Sequence, residues 1–370
     1  GMFARGFLKT VAFAMMCQVA MGFVATPMAL RGMSKHAFAT SRRMTARSAS
    51  VSPKMSDDDF KDWKATTAFL FPGQGAQYVG MAGSLVEEVP RAKEMFDEAS
   101  EVLGYDLLKF CLEGPKEKLD STVISQPAIY VASLAAVEKL KLQEGGQEAV
   151  DKAAVAAGLS LGEYTALCFA GAISFSDGLK IVKTRGEAMQ AASEAAESGM
   201  VSVIGLDTEK VKALCAKASE LAGEPIQIAN YLCPGNYAVS GAKSACAKVA
   251  EIAKPDFKAR MTVPLAVAGA FHTDFMGSAV EKLAQVLSEV EVVKPRIPVI
   301  SNVDAAPHSD PAVIKEILTK QVTSPVMWEK TIAQMMERDY EQGYECGPGK
   351  VVAGIVKRIN KEAALINIEA

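Results

Sequence analysis

A serine set between two glycines is the first place in this chain where chemistry can be read. Gly158-Leu159-Ser160-Leu161-Gly162 is a G-x-S-x-G. That pattern suits a sharp strand-to-helix turn that holds a serine hydroxyl exposed at a helix N-terminus, with the next backbone N–H aimed at a developing oxyanion. The same residues also suit a glycine-rich helix start in which the serine is only the N-cap. A serine hydroxyl is a poor nucleophile unless a base takes its proton, and the chain has three histidines, His36, His272 and His308. His36 lies in a leader described below. His308 sits in Ala306-Pro307-His308-Ser309-Asp310-Pro311, a polar, Pro-flanked stretch read as a solvated loop. His272, in Gly269-Ala270-Phe271-His272-Thr273 at the end of an apolar run, is left as the candidate base. No acid between Ser160 and His272 stands out as a third member, which leaves a backbone carbonyl to orient the imidazole.

Three further features could serve such a serine. Phe71-Pro72-Gly73-Gln74-Gly75-Ala76-Gln77 is a glycine-rich turn after an apolar run, without the G-K-[ST] of a phosphate-binding loop. It reads either as an ordinary tight turn or as the source of a second oxyanion N–H. Arg185 follows Ser160 by 25 residues in the helical stretch Lys180 to Ala191, with Met189 one turn further on. Beside an apolar pocket this arginine would clamp a carboxylate with two parallel hydrogen bonds, and on a solvated helix face it would do nothing of the kind. Gly347-Pro348-Gly349-Lys350 reads as a turn before a last helix. The seven cysteines, Cys17, Cys111, Cys168, Cys215, Cys233, Cys246 and Cys346, show no CxxC spacing, so neither a metal site nor a redox motif is expected, and an odd count speaks against a disulfide framework.

The elements that must position these residues follow from hydrophobic period. Ala65 to Phe71 is a short continuous apolar run that suits a buried strand, and 85–101 and 127–141 read as helices. Ala153 to Gly158 is a second buried run, and it switches without a spacer into a helical pattern from Glu163 to Ala170, which places Ser160 at the turn. From Gly199 the period changes to strand 200–206, helix 208–222, strands 226–229 and 237–241, helix 243–254 and strand 260–266. That is the split-βαβ, ferredoxin-like order, here inserted into other α/β material. A strand at 297–300 and helices at 312–321, 326–337 and 351–360 follow. The expected fold is α/β, an α/β-hydrolase-like large subdomain (63–198 and 263–370) carrying a ferredoxin-like insert (199–262), after a leader and linker over 1–62.

Composition bounds the rest. The chain has 370 residues, 49% hydrophobic, with 40 Lys+Arg against 43 Asp+Glu and a net charge of −3. This excludes a disordered chain, a collagen-like repeat and a disulfide scaffold, and gives no basic excess for nucleic acid. The charge is unevenly placed. Residues 1–55 hold eight basic side chains and no acidic one, leaving 32 basic and 43 acidic residues, about −11, for the body. Val11 to Ala25 is an apolar run behind Arg5 and Lys9, and an Arg/Ser/Thr-rich stretch follows it from Arg31 to Lys54. Together they read as a bipartite leader, secretory then plastid transit, with Ala37-Phe38-Ala39 as the junction; a single mitochondrial or chloroplast presequence is the alternative. Beyond the leader no segment is long and apolar enough to span a membrane, so the mature protein is expected to have no membrane association.

Taken together, FPGQGAQ (71–77), SQPA (125–128), GLSLGEYTAL (158–167), RGEAMQ (185–190), GAFHT (269–273), SNV (301–303), SPVMW (324–328) and ECGPGK (345–350) resemble the malonyl-CoA:acyl-carrier-protein transacylases of type II fatty acid synthesis, over roughly residues 66–360. The resemblance implies transfer of a malonyl group from malonyl-CoA to the phosphopantetheine thiol of acyl carrier protein, by a ping-pong route through malonyl-Ser160. It implies His272 as base, oriented by the Gln321 carbonyl, and an oxyanion hole from the backbone N–H groups of Gln74 and Leu161. Arg185 would hold the malonyl carboxylate, with Gln126, Met189, Asn230 and Phe271 around the substrate. No bound cofactor is implied, and the family suggests a monomer. Independently of the resemblance, the acidic body must receive an acidic carrier, and Lys350, Lys357, Arg358 and Lys361, or Lys180 and Lys183, read as a basic patch for it or, equally, as solvated faces. This chain departs from the family at Leu159, where bacterial members usually carry His, and at Leu232 and Asn236, which replace Asn and Gln. A serine hydrolase or thioesterase would share Ser160 and His272 but would have no use for Arg185, and a non-catalytic binding module would need no reactive serine.

Overall fold

The computed structural model describes residues 58–370, so the leader readings, including His36 and Cys17, lie outside the described residues. In chain order the strands are β1 (Thr67–Phe71), β2 (Val155–Gly158), β3 (Ser198–Ile204), β4 (Ile226–Cys233), β5 (Asn236–Ala242), β6 (Met261–Pro264), β7 (Val299–Ile300), β8 (Gln342–Gly347) and β9 (Leu365–Glu369). Five of them form an all-parallel sheet in the order β7-β2-β1-β8-β9. β1 and β2 are short apolar runs because both faces of this sheet are covered. Side chains alternate across it: Phe69 and Phe71 enter the larger core with the helices Thr122–Lys141 and Phe175–Glu194, while Ala68 and Leu70 meet Trp328, Ile332 and Met335 on the other face.

The other four strands form an antiparallel sheet in the order β4-β5-β3-β6, with the helices Thr208–Ala222 and Lys243–Ile252 against it. The first strand of the unit lies between the third and the fourth, the split-βαβ arrangement, and it has its own core around Val203, Val211, Leu214 and Val239. The antiparallel sheet is tied to the segment that follows residue 323. The Val326 N–H donates to the Ala229 carbonyl and the Tyr231 N–H to the Val326 carbonyl, at 2.8 and 2.9 Å, so β4 passes directly beside the Ser324-Pro325-Val326 segment.

Three local differences from the sequence expectations have physical causes. The helix expected over 85–101 is two helices, Gly83–Glu88 and Pro90–Leu103, because Pro90 cannot continue a helix but suits the first position of one. The helix expected from 127 begins at Thr122, so Pro127 lies inside it; the Val123 carbonyl that loses its N–H partner receives the Tyr105 hydroxyl at 3.5 Å. β8, β9 and the helix Gly277–Glu289 have no counterpart in the sequence reading. β8 (QGYECG) has two glycines and a fully buried Glu345 where a central strand is usually apolar. The Glu345 carboxylate accepts the N–H groups of Val352 and Ala353 at 2.9 and 2.8 Å, capping the helix Val351–Ile359.

The carboxyl ends of β1 and β2 are pressed together by close backbone approach. A Cβ on Gly162 would lie 2.3 Å from the Phe71 carbonyl oxygen, and one on Gly73 would lie 2.3 Å from that of Leu159. Only glycine fits at either place. The turn after β1 and the turn after β2 are thereby locked side by side, at the carboxyl edge where open α/β sheets place their ligands.

Candidate active site

Ser160 stands between β2 and the helix Leu161–Phe169 with φ 53° and ψ −100°, a conformation that an L-residue keeps only when its surroundings enforce it. The enforcing groups are visible. The Ser160 N–H donates to Asn302 Oδ1 at 2.6 Å, Asn302 Nδ2 donates to the Gly158 carbonyl at 2.8 Å, and Gln321 Nε2 donates to the Ser160 carbonyl at 3.0 Å. With its backbone held from both sides, the serine does not use its hydroxyl to cap the helix. Its Oγ lies instead 2.9 Å from His272 Nε2. Leu161, at the first position of the helix, belongs to the turn whose N–H groups have no intrahelical acceptor.

His272 is also at positive φ, 60°, and its own N–H is held by the Val322 carbonyl at 3.0 Å. Its Nδ1 lies 2.9 Å from the Gln321 carbonyl. A carbonyl can only accept, so the proton is on Nδ1 and the Nε2 lone pair faces the serine hydroxyl. The ring is buried, and burial, with the charge of Arg185 second, lowers its pKa to about 4. The imidazole is therefore neutral, with no carboxylate to stabilise its charged form.

Arg185 resolves the choice left by the sequence: it is 1% exposed, and no solvated helix face is involved. Its Nη1 donates to Gln126 Oε1 at 2.8 Å, and its Nη2 donates to Ser160 Oγ at 3.0 Å and to Gln321 Oε1 at 2.9 Å. The Tyr164 ring lies 5.1 Å from the guanidinium carbon, and Nε has no partner. Burial pulls the guanidinium pKa down from its ordinary value, while Tyr164 and Glu163 hold it up. The hydrogen bonds of this buried cation all go to neutral groups, an arrangement able to receive an anion.

Ser160, His272 and Arg185 open on a cavity of about 220 Å³ between the two sheets. Gln74, Leu161, Gln126, Met189, Asn230 and Phe271 line it, so the structure brings every sequence-selected side chain to this cavity except Gln321, which stands behind His272. Apolar residues that the sequence did not single out complete the wall, among them Met200, Leu265, Val267 and Ile355. Of the departures from the family pattern, Leu159 and Leu232 line the cavity, while Asn236 accepts from the Ser202 hydroxyl at 3.1 Å outside it. Sequence reasoning gave no role to Asn302 or Glu163. Both lie in motifs named above, SNV and GLSLGEYTAL, and Glu163, 3% exposed, accepts from Gln321 Nε2 at 2.6 Å and from the Asn302 N–H at 3.0 Å.

His308 corrects the expectation of a solvated loop: it is buried, and its Nε2 lies 2.9 Å from Asp304 Oδ2, because the polar stretch folds back on itself. Of the basic candidates, Lys180 pairs with Asp177 and Lys183 with the carbonyls of Val102 and Leu103. Lys357 is engaged by the carbonyls of Lys361 and Ala363, and Lys350 adjoins Val351 of the cavity wall. Among the described residues no group of His, Cys, Asp and Glu could hold a metal ion, and no helix is long and apolar enough to cross a membrane.

The geometry has counterparts in known proteins. Residues 68–368 match the family model described as an acyl transferase domain. The mouse protein called malonyl-CoA-acyl carrier protein transacylase, mitochondrial, is 43% identical over 308 residues, 80% of each chain. The acyl carrier protein S-malonyltransferase of Vibrio cholerae superposes with a TM-score of 0.76 at 39% identity, covering 82% of this chain and 97% of that one. A malonyl-transacylase solved in complex with a type II PKS acyl-carrier protein gives a TM-score of 0.76 at 34% identity, covering 82% and 96%.

A neutral His272 makes a pH prediction. A pKa lowered to about 4 means that the ring gains its proton only as pH falls well below the ordinary histidine range. Followed by NMR in the free protein, the His272 ring signals should stay at their neutral positions from pH 8 down to about 5.5. A titration midpoint near 6.5 would contradict the buried, neutral base.

Proposed function

We propose the residue roles below on the premise that this chain belongs to the acyl transferase family, as a malonyl-CoA:acyl-carrier-protein transacylase. It transfers the malonyl group of malonyl-CoA to the phosphopantetheine thiol of acyl carrier protein, in two half-reactions through an acyl-enzyme. The observation that carries the assignment of substrate is the buried Arg185 guanidinium, 3.0 Å from the serine hydroxyl and without a carboxylate partner of its own. A malonyl thioester brings a carboxylate to this cation and places its carbonyl two bonds away, at the nucleophile.

In the first half-reaction Ser160 Oγ attacks the thioester carbonyl while His272 Nε2 takes the hydroxyl proton. The negative charge moves to the carbonyl oxygen, which the N–H groups of Leu161 and Gln74 receive; losing one such donor costs on the order of 100-fold in rate. The tetrahedral intermediate collapses, the C–S bond breaks, and CoA leaves as a thiol with the proton His272 had taken. In the second, His272 removes the proton of the carrier thiol, the sulfur attacks the malonyl-serine ester, and the proton returns to Ser160 Oγ as the C–O bond breaks. The Gln321 carbonyl keeps the imidazole in the right tautomer throughout, in place of a triad acid. Gln126 and Met189, in contact with each other at 3.5 Å, flank the clamp, and Asn230 and Phe271 close the pocket around the malonyl unit.

The experiment is the intact mass of the protein after mixing with malonyl-CoA, before and after adding carrier protein. One malonyl group should be gained, be absent in Ser160→Ala, and be discharged by carrier protein. Release of free malonate without carrier protein would favour a hydrolase, and no adduct at all would favour a binding module. Arg185→Ala should lower kcat/KM for malonyl-CoA on the order of 100-fold and shift preference toward acetyl-CoA, as befits a lost charge-assisted pair; an unchanged preference would refute the clamp.

The leader read in residues 1–62 would deliver this activity to a plastid, a reading supported by the acid-free stretch and the Ala37-Phe38-Ala39 junction. Residues 1–62 fused to a fluorescent protein should collect in plastids; collection in mitochondria would overturn the reading.

A further inference from the structure

The clamp is itself held by something that does not touch substrate. Neither Glu163 nor the Gln321 side chain lines the cavity, yet both are almost wholly buried beside it, 3% and 0% exposed. A carboxamide can sit either way round, and its neighbours decide which. The Ser160 carbonyl, 3.0 Å from Gln321 Nε2, can only accept, and Arg185 Nη2, 2.9 Å from Gln321 Oε1, can only donate. The remaining neighbour is Glu163 Oε2, 2.6 Å from Nε2, and this oxygen also accepts the Asn302 N–H at 3.0 Å. An oxygen that accepts twice fixes the amide nitrogen toward it and so turns the amide oxygen toward the arginine.

We propose that Glu163 is the positioning residue of the carboxylate clamp, acting on Arg185 through the Gln321 carboxamide. A guanidinium, an amide and a carboxyl group are hydrogen-bonded in series. The series answers a conflict that any buried carboxylate-binding arginine faces. An uncompensated interior charge is costly, but a carboxylate placed directly on the guanidinium would fill the fork that substrate needs. With one amide between them, Glu163 fixes the acceptor that faces the guanidinium and leaves the fork open. The same amide belongs to the residue whose backbone carbonyl orients His272, and its nitrogen holds the Ser160 backbone. Clamp and nucleophile are therefore aligned by one side chain, whose own backbone orients the base, and Glu163 holds that side chain in place.

This inference rests on the reading of Arg185 as the carboxylate clamp, and the test keeps the two apart. The quantity measured is the ratio of kcat/KM for malonyl-CoA to that for acetyl-CoA, both with carrier protein as acceptor. Glu163→Leu and Gln321→Met should each lower this ratio at least about tenfold. The double variant should lower it no further than the larger single change, because the second substitution meets a relay already broken. Glu163→Gln keeps an oxygen that can accept from both donors, and should recover at least half of the loss on a logarithmic scale. Should Glu163→Leu fail to fold, Glu163→Asp, which withdraws the oxygens by one methylene, must show the same fall. The proposal is overturned if the ratio is unchanged in these variants, if both donors lose activity equally, or if the losses multiply in the double variant. Arg185→Ala is run beside them. A collapsed ratio there with an intact ratio in the Glu163 variants removes Glu163 alone, whereas an intact ratio in Arg185→Ala removes the clamp and this proposal with it.

Discussion

A positive charge held inside a protein without an ion-pair partner is the constraint around which this site is built. The Arg185 guanidinium reaches only neutral acceptors, the Gln126 and Gln321 amide oxygens and the Ser160 hydroxyl, with the Tyr164 ring alongside. Left alone, such a charge would cost several kcal/mol, which the dispersed acceptors around it offset in part. What remains is a site that gains most when a carboxylate arrives. Burial first, and then this same charge, lowers the pKa of His272, so Arg185 helps keep the neighbouring imidazole neutral.

The scaffold converts that constraint into geometry. Strand β2 ends in a turn whose strain is held by Asn302 and Gln321, residues about 140 and 160 positions away in the chain. Strand β1 ends in a turn locked against it by glycines at van der Waals limits. The antiparallel sheet supplies the opposite wall, and Gln227 on β4 donates to the His272 carbonyl at 3.3 Å, so His272 is held from this sheet as well as by the carbonyls of Gln321 and Val322. A backbone carbonyl suffices as orienting group here because the imidazole is wanted in one tautomer and not as a stabilised cation.

Ser160 was legible because the glycine spacing coincides with a switch of hydrophobic period, and His272 because so few histidines compete with it. Arg185 was only half legible. A helical arginine carries no local mark of burial, and its environment comes from Gln126 and Gln321, distant in sequence. Glu163 was hidden by its place in the first turn of a helix, where an acidic residue is expected for the helix dipole alone. His308 departs from the solvated loop that a polar, Pro-flanked stretch suggests because the Asp304 contact, which no local pattern marks, accompanies its burial. In the fold, the βαββαβ insert was plain from its alternation of periods, whereas β8 was masked by two glycines and the buried Glu345.

The central claim is that the malonyl carboxylate is received by Arg185 while its carbonyl faces the backbone N–H groups of Gln74 and Leu161. A crystal structure of the acyl-enzyme, trapped with malonyl-CoA in the absence of carrier protein, tests it most directly. The account predicts an ester on Ser160 Oγ, its carboxylate on the Arg185 guanidinium with two N···O distances of about 2.7–2.9 Å, and its carbonyl oxygen within hydrogen-bond reach of both N–H groups. A malonyl group on Ser160 whose carboxylate points to solvent, leaving the guanidinium on Gln126 and Gln321 alone, would contradict it.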